Sequence, residues 1–110
     1  MSKAWIGVDL DGTLAIHHSG YFRRGIIGPP IQLMVERVKT WRANGIEVRI
    51  LTARADGTQG VVEAIQDWCE EHIGERLPVT NKKDYDMLEL WDDRAVQVIP
   101  NTGIRVDGGE

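Results

Sequence analysis

Asp9 and Asp11 stand two positions apart at the end of an apolar run, in AWIGVDLDGTLA (residues 4–15), and Gly12-Thr13 follows at once. Two carboxylates about 4 Å apart repel by roughly 4 kcal/mol at an effective dielectric near 20. A second acidic pair, Asp92-Asp93, follows MLELW, and Thr52, Ala53 and Arg54 end the run IEVRIL. Acids gathered in one place either rise in pKa or share a cation. An all-oxygen site with few protein ligands suits Mg²⁺, which keeps several waters and commonly bridges to phosphate. Beside such a bound phosphate, one carboxylate can attack phosphorus in line. A second, two residues on, can protonate the leaving oxygen and then activate water. The Thr52 hydroxyl, loop N–H groups and an ammonium from Lys82 or Lys83 would hold the phosphoryl oxygens.

That chemistry requires elements that bring four separate segments together. AWIGVDL is a short apolar run suited to a strand buried on both faces. PPIQLMVERVKTWRANG predicts a helix begun by its prolines and stopped at Asn44-Gly45, with Ile31, Met34, Val35, Val38 and Trp41 at helical spacing. IEVRILTAR follows as a second strand. TQGVVEAIQDWCEEHIG carries Val61, Val62, Ile65, Trp68, Cys69 and Ile73 on one stripe and ends at Gly74. Pro78 to Thr80 predicts a short third strand, DMLELWDD a fourth, and AVQVIPN a fifth, broken at Pro100-Asn101. This order argues for an α/β, Rossmann-like fold: a mostly parallel central sheet flanked by helices. In such sheets ligands bind beyond the carboxyl ends of the strands, where Asp9, Asp11, Thr52, Arg54, the two lysines, Asp92 and Asp93 all fall.

The 110 residues suffice for a single domain, 1–110, and leave no room for a second core. Residues 12–28 form a long insert between the first strand and its helix, and residues 101–110 read as a polar, frayed tail. A net charge of −4 argues against sequence-independent nucleic-acid binding, which needs a broad basic surface. Cys69 is the single cysteine, so a reducing, cytoplasmic setting is the simplest expectation. No segment reads as a signal peptide or a membrane span, and no contact with a membrane is expected.

The series DLDGT … LTAR … NKK … WDDR resembles the haloacid dehalogenase-like (HAD) phosphohydrolase superfamily over residues 5 to about 100. DLDGT matches the form DxDx[TV] of its first motif, Thr52 the second, Lys82 or Lys83 the third, and Asp92-Asp93 the fourth. The resemblance implies that Asp9 is nucleophile and metal ligand, and that Asp11 is general acid/base with its backbone carbonyl on the metal. It implies that Thr52 binds the transferring phosphoryl group, with Ala53 and Arg54 beside it. A lysine, for preference Lys83, neutralises that group; Asp93 ligates Mg²⁺ with Asp92 in support; and Gly12 allows a tight coil after the first strand. Neither insert is long enough for a separate cap domain, which resembles the capless branch. Its open sites often accept bulky or macromolecular phosphoesters, or borrow a cover from another subunit; the expected substrate is a small phosphorylated metabolite or nucleotide, or a phosphorylated nucleic-acid end.

Plainer roles compete for several of these residues. Thr52 would equally cap the next helix, although Asp56, Gly57 and Thr58 stand nearer its start. Arg54 and Arg94 read first as ion-pair partners of nearby acids, and His17-His18 as an exposed pair. His17, His18, Tyr21, Phe22, Arg23 and Arg24 would nonetheless lie near the mouth of the crevice, able to grip a phosphate or stack on a base. His72 suits a helix C-terminus, Trp41 and Trp68 the core, Trp5 and Trp91 the flanks of the site, and Cys69 an inert core thiol. A phosphate-accepting receiver domain is excluded by motif order, since its adjacent acid pair follows the first strand. A catalytically weak or silent phosphate-binding, regulatory protein on the same fold is the alternative to a phosphatase.

Overall fold

The computed structural model describes residues 4–18 and 25–110. The elements run β1 (Trp5–Val8), α1 (Gln32–Ala43), β2 (Glu47–Leu51), α2 (Val61–His72), β3 (Val79–Thr80) and β4 (Met87–Trp91). They form one four-stranded sheet in the order β3-β2-β1-β4, and every pairing is parallel. The chain steps from β1 outward to β3 through its two helices, then crosses to the far side of β1 to lay down β4. The direction of winding therefore reverses beside β1, and the carboxyl ends of β1 and β4 flank the point of reversal.

Burial explains the arrangement. All four residues of β1 are buried, as a central strand requires, and the register sets Val8 between Ile50 of β2 and Trp91 of β4. Met34, Val35 and Val38 of α1 and Ile65, Trp68 and Cys69 of α2 join Val8, Leu10, Val48 and Ile50 in one core. The centres of the expected helical stripes are thus buried, while Ile31, Trp41, Val61 and Val62 at their ends are half-buried. α1 ends as its Asn44-Gly45 predicts: Gly45 takes φ +76° and donates to Arg42 O, while Ile46 N–H reaches back to Trp41 O. At the other end of β1, Trp5 Nε1 donates to Asp84 Oδ1 at 2.8 Å and the Arg49 guanidinium lies 4.6 Å over its ring.

Two expectations give way. Asp56 and Thr58 do not cap α2; Thr58 N–H donates to Asp56 Oδ1 at 2.9 Å in a local turn, and Gly60, at φ +83°, is the N-cap. Residues 95–101 do not form a fifth strand. Pro100 has no N–H, Asn101 adopts φ +66°, and Gly103 turns the chain back, so Val98 bridges antiparallel to Arg105 instead of extending the sheet. The 101–110 segment is accordingly the return arm of that turn, with Ile99 N–H on Ile104 O at 2.7 Å.

The insert leaves and re-enters the fold through paired stems. Ile16 N–H donates to Pro29 O and Ile31 N–H to Leu14 O, both at 2.8 Å, and Trp68 Nε1 donates to Gly28 O at 3.0 Å. Tyr21, Phe22, Arg23 and Arg24 lie outside the described residues. Among the described residues, no helix is long and apolar enough to cross a membrane.

Candidate functional site

Immediately after β1 the chain coils tightly. Leu10 O accepts N–H bonds from Leu14 at 3.0 Å and Ala15 at 2.9 Å, and Gly12 N–H donates to Ala15 O at 2.8 Å. Gly12 holds φ +90°, and a Cβ on it would sit 2.5 Å from Asp93 Oδ2. Glycine is therefore required twice at this position, by backbone and by space. The bare backbone lets the end of β4 close against the coil. Asp9 N–H donates to Trp91 O at 2.9 Å, and Thr13 Oγ1 donates to Asp93 Oδ1 at 3.2 Å.

This closure gathers three carboxylates. One oxygen from each of Asp9, Asp92 and Asp93 lies within 4.8 Å of the others. Burial, then a hydrogen bond with the Asp93 carboxyl and the charges on Asp92 and Asp93, push Asp9 up to about 7; the Leu10 N–H opposes the shift. Asp92 is further fixed by N–H groups of Arg94 at 2.7 Å and Ala95 at 3.1 Å, both on its Oδ1. The donors are all oxygen and half-buried to exposed, a set that fits a hard divalent cation such as Mg²⁺.

Asp11 belongs to a different constellation. Its carboxylate stands outside the three-acid group and is gripped by Arg54, with Nε on Oδ2 and Nη2 on Oδ1, both at 2.8 Å. The Arg54 side chain is 8% exposed, and Nη2 also donates to Ile26 O at 3.0 Å, tying Asp11 to the returning insert. His17 Nδ1 lies 3.7 Å from Asp11 Oδ1. Thr52, 4% exposed, ends β2; its N–H donates to Thr80 O and its Oγ1 accepts from Arg54 N–H at 3.2 Å.

A cleft of about 850 Å³ opens over these strand ends, with Asp9, Asp11, Thr52, Ala53, Arg54, Lys83 and Asp92 on its walls. Of the two candidate lysines Lys83 faces it; Lys82 is not on its lining, nor are Gly12 and Asp93, which lie against each other. Arg54, expected among the substrate-binding residues as well as an ion-pair partner, is engaged with Asp11. Arg94 makes no ion pair among the described residues and instead lines the cleft. Sequence reasoning passed over Asn81 and Asp56 on the walls and undervalued His17. Asn81 follows β3 directly, so the strand-end rule would have found it. His17 lies on the cleft wall, as its expected place near the mouth requires, although the sequence favoured an exposed pair with His18.

No protein-family model and no curated protein matches the chain. Among solved structures it is similar to a conserved protein from Bacteroides thetaiotaomicron, with a TM-score of 0.63 and 23% identity over 91% of this chain and 84% of that one. At that identity the likeness establishes the α/β fold.

Proposed function

We propose that this chain is a capless HAD-type phosphohydrolase, dependent on Mg²⁺, that cleaves a phosphomonoester through an aspartyl-phosphate on Asp9. The observation that carries the reading is the joining of Asp9 to Asp92 and Asp93 within 4.8 Å, at the head of a cleft that also holds Thr52 and Lys83. Asp9 and Asp93 side chains and the Asp11 main-chain carbonyl would hold the ion, with Asp92 in support. When bound, it supplies positive charge against the carboxylates and the phosphoryl oxygens.

An Asp9 oxygen attacks phosphorus, and the bond from phosphorus to the ester oxygen breaks as Asp11 delivers its proton to the departing alcohol. Asp11, now a carboxylate, takes a proton from water, whose oxygen attacks the same phosphorus. Phosphate leaves and Asp9 is restored. Thr52 and Lys83 donate to the phosphoryl oxygens through both steps. Substrates of this class are small phosphorylated metabolites, nucleotides or phosphorylated nucleic-acid ends, met in the cytoplasm, where a lone Cys69 stays reduced.

One observation favours a second reading. Both Asp11 oxygens are engaged by Arg54, so proton transfer needs Asp11 to loosen from that fork. A protein in which it never does would bind phosphate without turnover and act as a regulator. Hydrolysis of para-nitrophenyl phosphate separates the two. Turnover that needs Mg²⁺, stops with EDTA and is lost in Asp9→Asn is the expected outcome. Absence of turnover above that variant would leave the binding protein.

A further inference from the structure

Beside the catalytic cleft runs a second groove of about 400 Å³, between the returning end of the insert and the first turns of α2. It adjoins the cleft, since Arg54 and Asp56 line both. We propose that this groove receives the alcohol portion of the phosphomonoester, and that this portion is an uncharged nucleoside. The assignment rests on the phosphohydrolase reading and adds the substrate class.

Three features of the groove select that class. Its volume falls at the lower end of small-molecule sites, about 300–1,000 Å³, so it suits one compact group. Ile27, Val61 and Ala64 give it an apolar wall, against which the face of a base buries well. The alcohol of a sugar phosphate offers that wall no flat apolar face. The charges also discriminate. Arg54 is the single cation on the described lining and is engaged by the Asp11 carboxylate. Asp56, fixed by Thr58 through N–H and hydroxyl, is held below the usual carboxylate range and stays ionised at the junction of groove and cleft. A second phosphate would meet that anion, so a nucleoside monophosphate is accepted and a bisphosphate refused. Asp56 Oδ2 and the Gln59 amide remain to read the polar edge of the base.

Two readouts test the proposal, and only one of them needs turnover. In the first, the full chain with Mg²⁺ is given adenosine monophosphate, glucose 6-phosphate, fructose 1,6-bisphosphate and the small substrate acetyl phosphate. Ala64→Phe, on an exposed position of α2, fills the groove. It should raise KM for adenosine monophosphate by roughly tenfold or more while leaving acetyl phosphate within about twofold. Equal effects on both substrates, or preference for either sugar phosphate, would overturn the assignment. In the second readout, adenosine without phosphate is measured by equilibrium dialysis. Binding that weakens about tenfold in Ala64→Phe and severalfold in Gln59→Ala supports the groove even if no ester is hydrolysed. Failure of the wild-type chain to bind adenosine overturns it even if the chain proves to be a phosphatase.

Discussion

Asp9 sits at a disadvantage that its own neighbours create. Its carboxyl titrates near 7 in the folded chain and near 3.8 in the unfolded one, because burial and the acids at 92 and 93 oppose its charge. The native state thus binds the extra proton between those values, and stability falls as pH rises through that window. In EDTA, Asp9→Asn should therefore be more stable than wild type by about 1–3 kcal/mol at pH 8, with the gap closing towards pH 4. Urea titrations at the two pH values check this. Gly12→Ala works in the opposite direction. A left-handed backbone costs a non-glycine residue about 1–2 kcal/mol, and the new Cβ, 2.5 Å from Asp93 Oδ2, must displace that carboxylate. If the acidic cluster binds Mg²⁺, its affinity, read by calorimetry, should fall roughly tenfold or more, beyond what the stability loss explains. The acids at 9, 92 and 93 were legible because strand ends and residue types are written in the sequence. That Arg54 pairs with an acid was legible too, but that the acid is Asp11 was not. The pair joins residues 43 positions apart through a side-chain direction that only the fold decides.

Helices and strands were read well wherever periodicity and punctuation agreed. The stripe Met34, Val35, Val38 is buried in α1, and Asn44-Gly45 ends it, because apolar spacing and a left-handed glycine make the same demand. At residues 95–101 they disagreed. The apolar content of AVQVIPN suits a strand, but Pro100, Asn101 and Gly103 turn the chain and leave Val96, Val98 and Ile99 exposed. Between elements, Arg42 at the end of α1 donates from Nε to both Glu75 oxygens, at 3.1 and 3.0 Å, and from Nη1 to Ile46 O. The pair links the two helix ends and holds the Glu75 carboxyl below its ordinary range. Both side chains are substantially exposed, so Glu75→Gln should cost less than about 1 kcal/mol at neutral pH. A depressed carboxyl contributes above its unfolded pKa and loses that contribution as pH drops through the native one. The difference between wild type and variant in urea midpoint should vanish in acid.

Across the whole molecule, one core joins both helices to the sheet, and Cys69 lies fully inside it. Burial pushes its thiol up to about 11, so it is neither ionised nor reachable in the folded chain. Labelling with a thiol reagent at pH 8 should wait for unfolding. If the acidic cluster binds Mg²⁺, labelling should slow with the ion, since binding at a hundred times Kd stabilises by about 2.7 kcal/mol. The parallel, helix-flanked sheet was legible from the alternation of elements. The lateral order β3-β2-β1-β4 was not, because it depends on which side of β1 the chain chooses after β3. That choice also governs how the protein is made. Asp9 directly follows β1, and its acidic companions at 92 and 93 follow β4, later in the chain than every other strand of this sheet. At ~5–20 residues per second, Asp9 waits roughly 4–17 s for Asp93 during translation. A nascent chain carrying β1, both helices and β2 has most of its core but lacks Asp92 and Asp93, so the core can form on the ribosome before the three-acid cluster, which waits until β4 docks.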